Sequence, residues 1–328
     1  MNLIDIRGLK TSFVVDEGTL TAVDGISFSI APGEILCLVG ESGCGKSVTA
    51  LSILRLITPP GKIMAGDIIF DEKDLLKLPE KEMQKIRGGR ISMIFQEPMT
   101  SLNPVMSVGD QVGETLIIHK HYSRKQARAE SIELLRAVRM PDPEKRVDEY
   151  PHQLSGGMRQ RVMIAMAIAC RPALLIADEP TTALDVTIQA QILELLLSLR
   201  EEFGLSILLI THALGVVAEV ADRVIVMYAG KIVEEAPVRE LFSNPLHPYT
   251  VGLLDSIPRL HQGTGPLKAS RLKAIDGVVP GLLHLPDGCT FYDRCKRRMD
   301  ECRPLFPQEI FVNPDHRVAC YLYAHEPA

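Results

Sequence analysis

Short runs in which apolar residues alternate with polar ones or cluster together open the chain. Leu3 to Ile6, Ala22 to Ile30 and Ile35 to Val39 are separated by turn residues such as Ala31-Pro32-Gly33, and they predict β-strands. Asp67 to Phe70 and Arg90 to Phe95 are further strand-like runs, the second leading into Gln96. From about Ser107 to Ala169 the apolar spacing lengthens to that of a helix. It does so through SVGDQVGETLIIH, then SRKQARAESIELLRAVRM with Ile132, Leu134, Leu135 and Val138, then Met158 to Cys170. Strand and helix alternate again after Ala173: Leu174 to Ala177 and Leu205 to Ile210 read as buried strands, Ile188 to Arg200 as an amphipathic helix, and Arg223 to Met227 as another strand. Such alternation predicts an α/β fold around a parallel sheet, with a helical subdomain inserted over about residues 105–170. Near residue 236 the character changes to SNPLHPYTVGLLDSIPRL, a Gly-rich basic stretch to about Lys273, and a cysteine-containing tail. Residues 1–235 are therefore expected to form one large domain and 236–328 a second, small unit.

Size and charge narrow the possibilities. At 328 residues the chain exceeds what one core usually supports, in keeping with a large domain plus an appendage. A net charge of -5 and a pI near 6.0 give no electrostatic footprint for nucleic acid. The longest uninterrupted apolar run, Val162 to Cys170, is far shorter than a membrane span, and MNLIDIRGLK lacks the charged start and apolar core of a signal peptide. A cytoplasmic protein is expected. If it serves transport, the membrane path belongs to other subunits.

Three stretches carry chemistry. GESGCGKS, Gly40 to Ser47, is a P-loop: its glycines let the backbone fold around phosphates so that amides, including those of Gly43, Cys44 and Gly45, point at oxygens. Lys46 reaches the β and γ phosphates, Ser47 supplies a hydroxyl to Mg²⁺, and the helix that starts here presents its positive dipole end. Gly40, Ser42 and Val48 complete the expected nucleotide contacts. LLIADEP delivers two carboxylates at a strand end, Asp178 suited to the Mg²⁺ shell and Glu179 to polarising a water as general base. LSGGM, Leu154 to Met158, puts Ser155, Gly156 and Gly157 at a helix start, a good anion site. That helix is about 13 residues long at roughly 1.5 Å each, which separates Ser155 from the Asp178 strand by nearly 20 Å. Ser155 is thus expected to close on ATP held by a second ATPase subunit. No second set of these motifs occurs in the chain, so that subunit is another molecule.

The three stretches, once each and in this order, resemble the ABC-family ATPases. The resemblance implies a P-loop ABC-type nucleotide-binding domain, a RecA-like core with antiparallel β and helical subdomains. Gln96 resembles the family's Q-loop glutamine, which senses Mg²⁺ and the γ-phosphate, and the loop Glu97 to Pro104 would face the membrane subunit. His212 resembles the switch histidine at the γ-phosphate. Ala213 follows it where the family more usually has an acidic residue, which affects the switch's local hydrogen bonding. Asp185 in TTALD resembles the D-loop aspartate at the dimer seam while also fitting a helix N-cap. Phe13 matches an adenine-stacking aromatic, with core packing as the rival reading.

Seven cysteines fall into two groups. Cys37 and Cys170 sit in apolar runs as small hydrophobes. Cys44, inside the P-loop at a helix start, is expected to have a lowered pKa and a reactive thiol. Cys289, Cys295, Cys302 and Cys320 are spaced C-x5-C-x6-C-x17-C. In a reducing compartment they point to metal rather than disulfides, with Zn²⁺ and [4Fe-4S] both open from spacing alone. SNPLHPYTVGLLDSIPRL, VPGLLHLPDGCTFYDRC and HRVACYL resemble the C-terminal extension of ATP-binding subunits from bacterial dipeptide and oligopeptide ABC importers. That resemblance favours [4Fe-4S], with Zn²⁺ as the alternative; between a structural staple and a redox sensor, a staple is expected because so short a tail has little core of its own. It further implies a subunit at the cytoplasmic membrane face that works with two transmembrane permeases, a second ATPase subunit favoured to be a paralogue, and an extracytoplasmic peptide-binding protein. Nickel or sugar cargo is the alternative within this class; a soluble or redox-regulated ABC ATPase is the alternative outside it.

Overall fold

A computed structural model describes residues 2–96, 101–182, 184–257 and 275–324. Twelve strands are present among them: β1 Ile4–Val15, β2 Gly18–Ile30, β3 Ile35–Val39, β4 Gly61–Phe70, β5 Lys73–Asp74, β6 Ile91–Ile94, β7 Leu174–Asp178, β8 Ser206–Thr211, β9 Arg223–Tyr228, β10 Lys231–Pro237, β11 Ile310–Asn313 and β12 His316–Val318. They form two sheets, one antiparallel in the order β2-β1-β4-β5 and one of eight strands in the order β11-β12-β10-β9-β3-β8-β7-β6. Strands β9, β3, β8, β7 and β6 are mutually parallel, so their carboxyl ends share one edge. Open parallel sheets bind ligands at that edge.

The unbroken apolar runs become fully buried strands because both faces of the sheet are covered. In β3, Ile35, Cys37 and Val39 face a core shared with the helical region, while Leu36 and Leu38 face a second core under the antiparallel sheet and the helix Lys46–Ile53. The helical region is built as expected from Val108–Lys120, Arg124–Ala137 and Gly156–Ile168. Ser107 and Ser123 cap the first two, each accepting from a backbone amide three residues on, and Ser123 forms a capping box with Gln126.

The residues after 236 do not fold apart from the rest. Strand β10 crosses that boundary, and β12 and β11 pair onto it to extend the central sheet. Tyr249, Leu254, Cys289, Phe291 and Cys302 join the core beside the helical region. Tyr228 at the end of β9 packs against Tyr249 and Phe291 with ring centroids 4.6 and 5.1 Å apart. So short a tail has little core of its own and takes one from its neighbour.

Candidate functional site

The phosphate-binding loop connects β3 to the helix Lys46–Ile53. Two glycines are required by contact as well as by conformation. Gly40 (φ +152°) and Gly45 (φ +101°) lie where an added Cβ would sit 2.3 Å from the Met227 carbonyl oxygen and 2.2 Å from that of Ala22. Backbone cannot yield to a methyl group. Gly45→Ala is expected to lose measurable ATP binding and to cost about 1–3 kcal/mol of stability, read from nucleotide titration and the urea midpoint. Retained affinity would refute the cradle geometry.

Lys46 is 5% exposed, and its Nζ donates to the carbonyl oxygens of Gly40 at 2.8 Å and Glu41 at 3.0 Å. Ser47 Oγ donates to Asp178 Oδ1 at 3.1 Å, which places two oxygen ligands suited to Mg²⁺ side by side. Burial raises the Asp178 carboxyl above its ordinary value, the Ser47 hydrogen bond opposes this, and the neighbouring Glu179 charge adds to it. Ser42 is exposed at the loop surface, and Val48 packs half-buried against the core beneath.

Glu179 follows β7 with φ +47°, a left-handed conformation unusual for a side-chain-bearing residue and of the kind concentrated at functional sites. Its amide is anchored to the Ile210 carbonyl at 2.9 Å. Three groups converge on its carboxylate. Gln96 Nε2 and Thr182 Oγ1 each donate to Oε2 at 2.9 Å, and His212 Nδ1 lies 3.3 Å from Oε1. Burial alone would raise this carboxyl, but the Thr182 and His212 hydrogen bonds, with the charges of His212 and Lys46, outweigh it and hold the group below the usual range. Glu179 is therefore ionised at neutral pH. Gln96, Asp178, Glu179 and His212 meet because β6, β7 and β8 are adjacent and end at one edge. Thr182 has no signal in the sequence beyond lying three residues after Glu179.

Ala213 lacks an acidic side chain, but its amide is satisfied by Thr211 Oγ1 at 3.0 Å. Asp185 caps the helix Val186–Phe203, Oδ1 accepting from the Ile188 amide at 3.0 Å, and is itself exposed. Ser155 caps the helix Gly156–Ile168; Ser155 and Gly156 are exposed and Gly157 half-buried against Ile188. Phe13, half-buried in β1, packs beside Gly61 and Ile57. The Gln96 loop is described only from Ser101 onward; Glu97 to Thr100 lie outside the described residues, as do Ala183 and the basic stretch to Lys273.

The reactive Cys44 expected from the loop is corrected by the structure. Its side chain is fully buried, and burial raises the thiol pKa despite Lys46 nearby, with Lys46 Nζ 3.7 Å from Sγ. Desolvation outweighs the helix terminus. Alkylation of the native protein, mapped by peptide mass spectrometry, is expected to leave Cys44 unmodified until denaturant is added; rapid native labelling would contradict this.

All seven cysteines are free thiols. Cys289, Cys295, Cys302 and Cys320 line a single pocket with Phe291 and His247. Burial, with a smaller push from the neighbouring cysteines, raises Cys289 to about 12 and Cys320 to about 11. Among the described residues, however, no three His, Cys, Asp or Glu side chains stand close enough to hold a metal ion. The expected metal centre is thus not present as a formed ligand set.

A P-loop at the edge of a parallel sheet, flanked by an antiparallel sheet and a helical region, is the architecture of an ATP-binding cassette. The chain belongs to the ABC transporter family, in its oligopeptide/dipeptide branch: residues 23–182 match the ABC transporter model and residues 233–302 the oligopeptide/dipeptide transporter C-terminal region. It is 53% identical to the oligopeptide transport ATP-binding protein AppD of Bacillus subtilis, covering 99% of this chain and 98% of the relative. It is 50% identical to the dipeptide transport ATP-binding protein DppD of Haemophilus influenzae, covering 99% and 97%. Among solved structures, the dimeric ATP-binding cassette MJ0796 bound to ADP and Pi superposes with a TM-score of 0.65 at 29% identity, over 72% of this chain and 99% of that one.

Proposed function

We propose that this protein hydrolyses ATP to power peptide import through partner transmembrane permeases. The observation that carries the reading is the convergence of the P-loop, the Ser47–Asp178 pair and the Glu179 cluster on one sheet edge. Bound MgATP supplies the phosphoryl group. The loop amides and Lys46 would hold its phosphates, and Ser47 and Asp178 would hold Mg²⁺, which neutralises charge on the phosphate oxygens. Ionised Glu179, fixed by Gln96, Thr182 and His212, orients the attacking water; with its pKa lowered it positions the nucleophile more than it strips the proton. Phe13 stacks on the adenine. The exposed Ser155-Gly156-Gly157 start of a helix and the exposed Asp185 supply contacts to nucleotide on a second ATPase subunit. No helix among the described residues is long and apolar enough to cross a membrane. Attachment at the cytoplasmic face, through the permeases, follows from this reading, as does supply of cargo by an extracytoplasmic binding protein.

The four tail cysteines are read as ligands of a [4Fe-4S] cluster that staples the extension. Their shared pocket supports this, although the four side chains do not stand as a formed ligand set. Zinc is the alternative that the same four thiolates would hold. Gentle detergent purification of the tagged protein from its native membranes, under anaerobic conditions, tests both parts. Recovery of two multi-span proteins and a second ATPase supports the importer, and soluble partners or nucleic acid alone would overturn it. Iron with acid-labile sulfide in the same sample supports the cluster; zinc or bare thiols would remove it.

A further inference from the structure

We infer that Arg294 is a positioning residue of the nucleotide site, acting through Glu41 on the phosphate-binding loop. Arg294 ends the short turn Tyr292–Arg294 in the cysteine tail, 253 residues from Glu41. Its Nη1 donates to Glu41 Oε2 at 2.6 Å and its Nη2 to Oε1 at 3.0 Å, a bidentate fork. The Arg294 side chain is 5% exposed, its guanidinium lies 5.7 Å from the Tyr228 ring centroid, and Nε donates to the Asp276 carbonyl at 3.0 Å. The pair is buried on the arginine side, while the Glu41 side chain is 31% exposed.

Glu41 is the second residue of the P-loop and is held at every polar group. Its amide donates to Tyr249 Oη at 2.8 Å, and its carbonyl accepts from Lys46 Nζ at 3.0 Å and from the Cys44 amide at 3.4 Å. Arg294 and Tyr249 come from the C-terminal extension; Lys46 and Cys44 belong to the loop itself. The extension thereby sets the loop residue against which Lys46 is aligned. The fork also has an electrostatic consequence. A carboxylate in a loop that binds a triphosphate repels its ligand, and Arg294 neutralises that charge. Without Arg294 the loop is both looser and more negative.

The inference rests on Gly40 to Ser47 being the phosphate loop, a reading that Lys46→Ala checks separately by loss of MgATP binding. In the full-length protein, titration with a fluorescent ATP analogue and steady-state hydrolysis are compared for Arg294→Met, Arg294→Lys, Glu41→Gln and the Glu41→Gln/Arg294→Met double variant, alongside thermal unfolding. Arg294→Met is expected to raise Kd and KM for MgATP about tenfold, the scale of one charge left unpaired beside the ligand, with kcat little changed. The double variant is expected to bind more tightly than Arg294→Met, because the repelling carboxylate is gone. A folded Arg294→Met with native affinity, or a double variant no tighter than the single, would overturn the proposal. Should Arg294→Met not fold, Arg294→Lys carries the test. It keeps the charge but loses the fork, so a Kd raised roughly threefold supports the inference, and an unchanged Kd refutes it.

Discussion

Glu179→Gln is expected to lower ATP hydrolysis by about 10²–10⁴-fold, the range a positioned acid–base group contributes, while MgATP affinity stays near native. The amide keeps the volume of the side chain, and its carbonyl can still accept from Thr182. It lacks the negative charge that orients and polarises a water. Binding is expected to be spared because the residues proposed to hold phosphate and Mg²⁺ are others: Lys46, and Ser47 paired with Asp178. The pH dependence has a sign as well. With the Glu179 carboxyl held below its ordinary 4.5, the charged form persists as pH falls through that value, and its contribution fades only below it. An acid limb above the usual glutamate range must therefore come from another group, and it should survive in the residual activity of Glu179→Gln. Phosphate release and equilibrium nucleotide binding, measured together, decide the matter. Unchanged turnover, or turnover and affinity falling in parallel, would remove Glu179 from the role.

The largest stability effect is expected far from the nucleotide, at Glu234. This residue sits in β10 with no solvent exposure, yet its carboxylate is fully used. Oε1 accepts from the Leu246 amide and from His316 Nε2, and Oε2 from the His247 amide, all at 2.8 Å. One side chain thus ties the core sheet to the turn before the helix Pro248–Asp255 and to β12. Glu234→Ala strands two amides and an imidazole away from water, and removing one partner from a buried network of this kind costs about 3–5 kcal/mol. Arg128→Ala is a fitting control. Arg128 pairs with Asp148, but the two side chains are 50% and 65% exposed, and such a pair is worth about 0–1 kcal/mol. Urea unfolding of both variants should separate them clearly. Equal midpoints would mean that the extension is not anchored through Glu234.

Much of the nucleotide site was legible because its parts are local in sequence. A P-loop is eight consecutive residues whose glycines, lysine and serine have fixed tasks, and LLIADEP places two carboxylates at a strand end without reference to the rest of the chain. The strand and helix runs held as well, with ends displaced by a few residues; β1 and β4 extended furthest, because antiparallel pairing continues through residues whose polarity hid it. The state of Cys44 is not legible in the sequence for a related reason. Its position in the loop is a sequence fact, but its desolvation is produced by the surrounding core, including the approach of β9 to the loop. The tail cysteines converge on one pocket, as their spacing suggested, without forming an ion-binding set.

The candidate chemistry is written locally in the chain: loop amides, a lysine, a serine and an aspartate suited to Mg²⁺, a glutamate at a strand end, and a Ser-Gly-Gly helix start. How these groups are held, and that the glutamate is ionised, comes from the packing of distant segments. The parallel order β3-β8-β7-β6 carries Gln96, Glu179 and His212 to one edge, and the pairing of β12 onto β10 docks the extension against the core. From that docking come Arg294 on Glu41 and His316 on Glu234, contacts across 253 and 82 residues. No local pattern encodes such pairs. They exist because burying the extension's apolar side chains fixes its polar ones in place, and a buried charge is tolerated only where its partner has been brought to meet it.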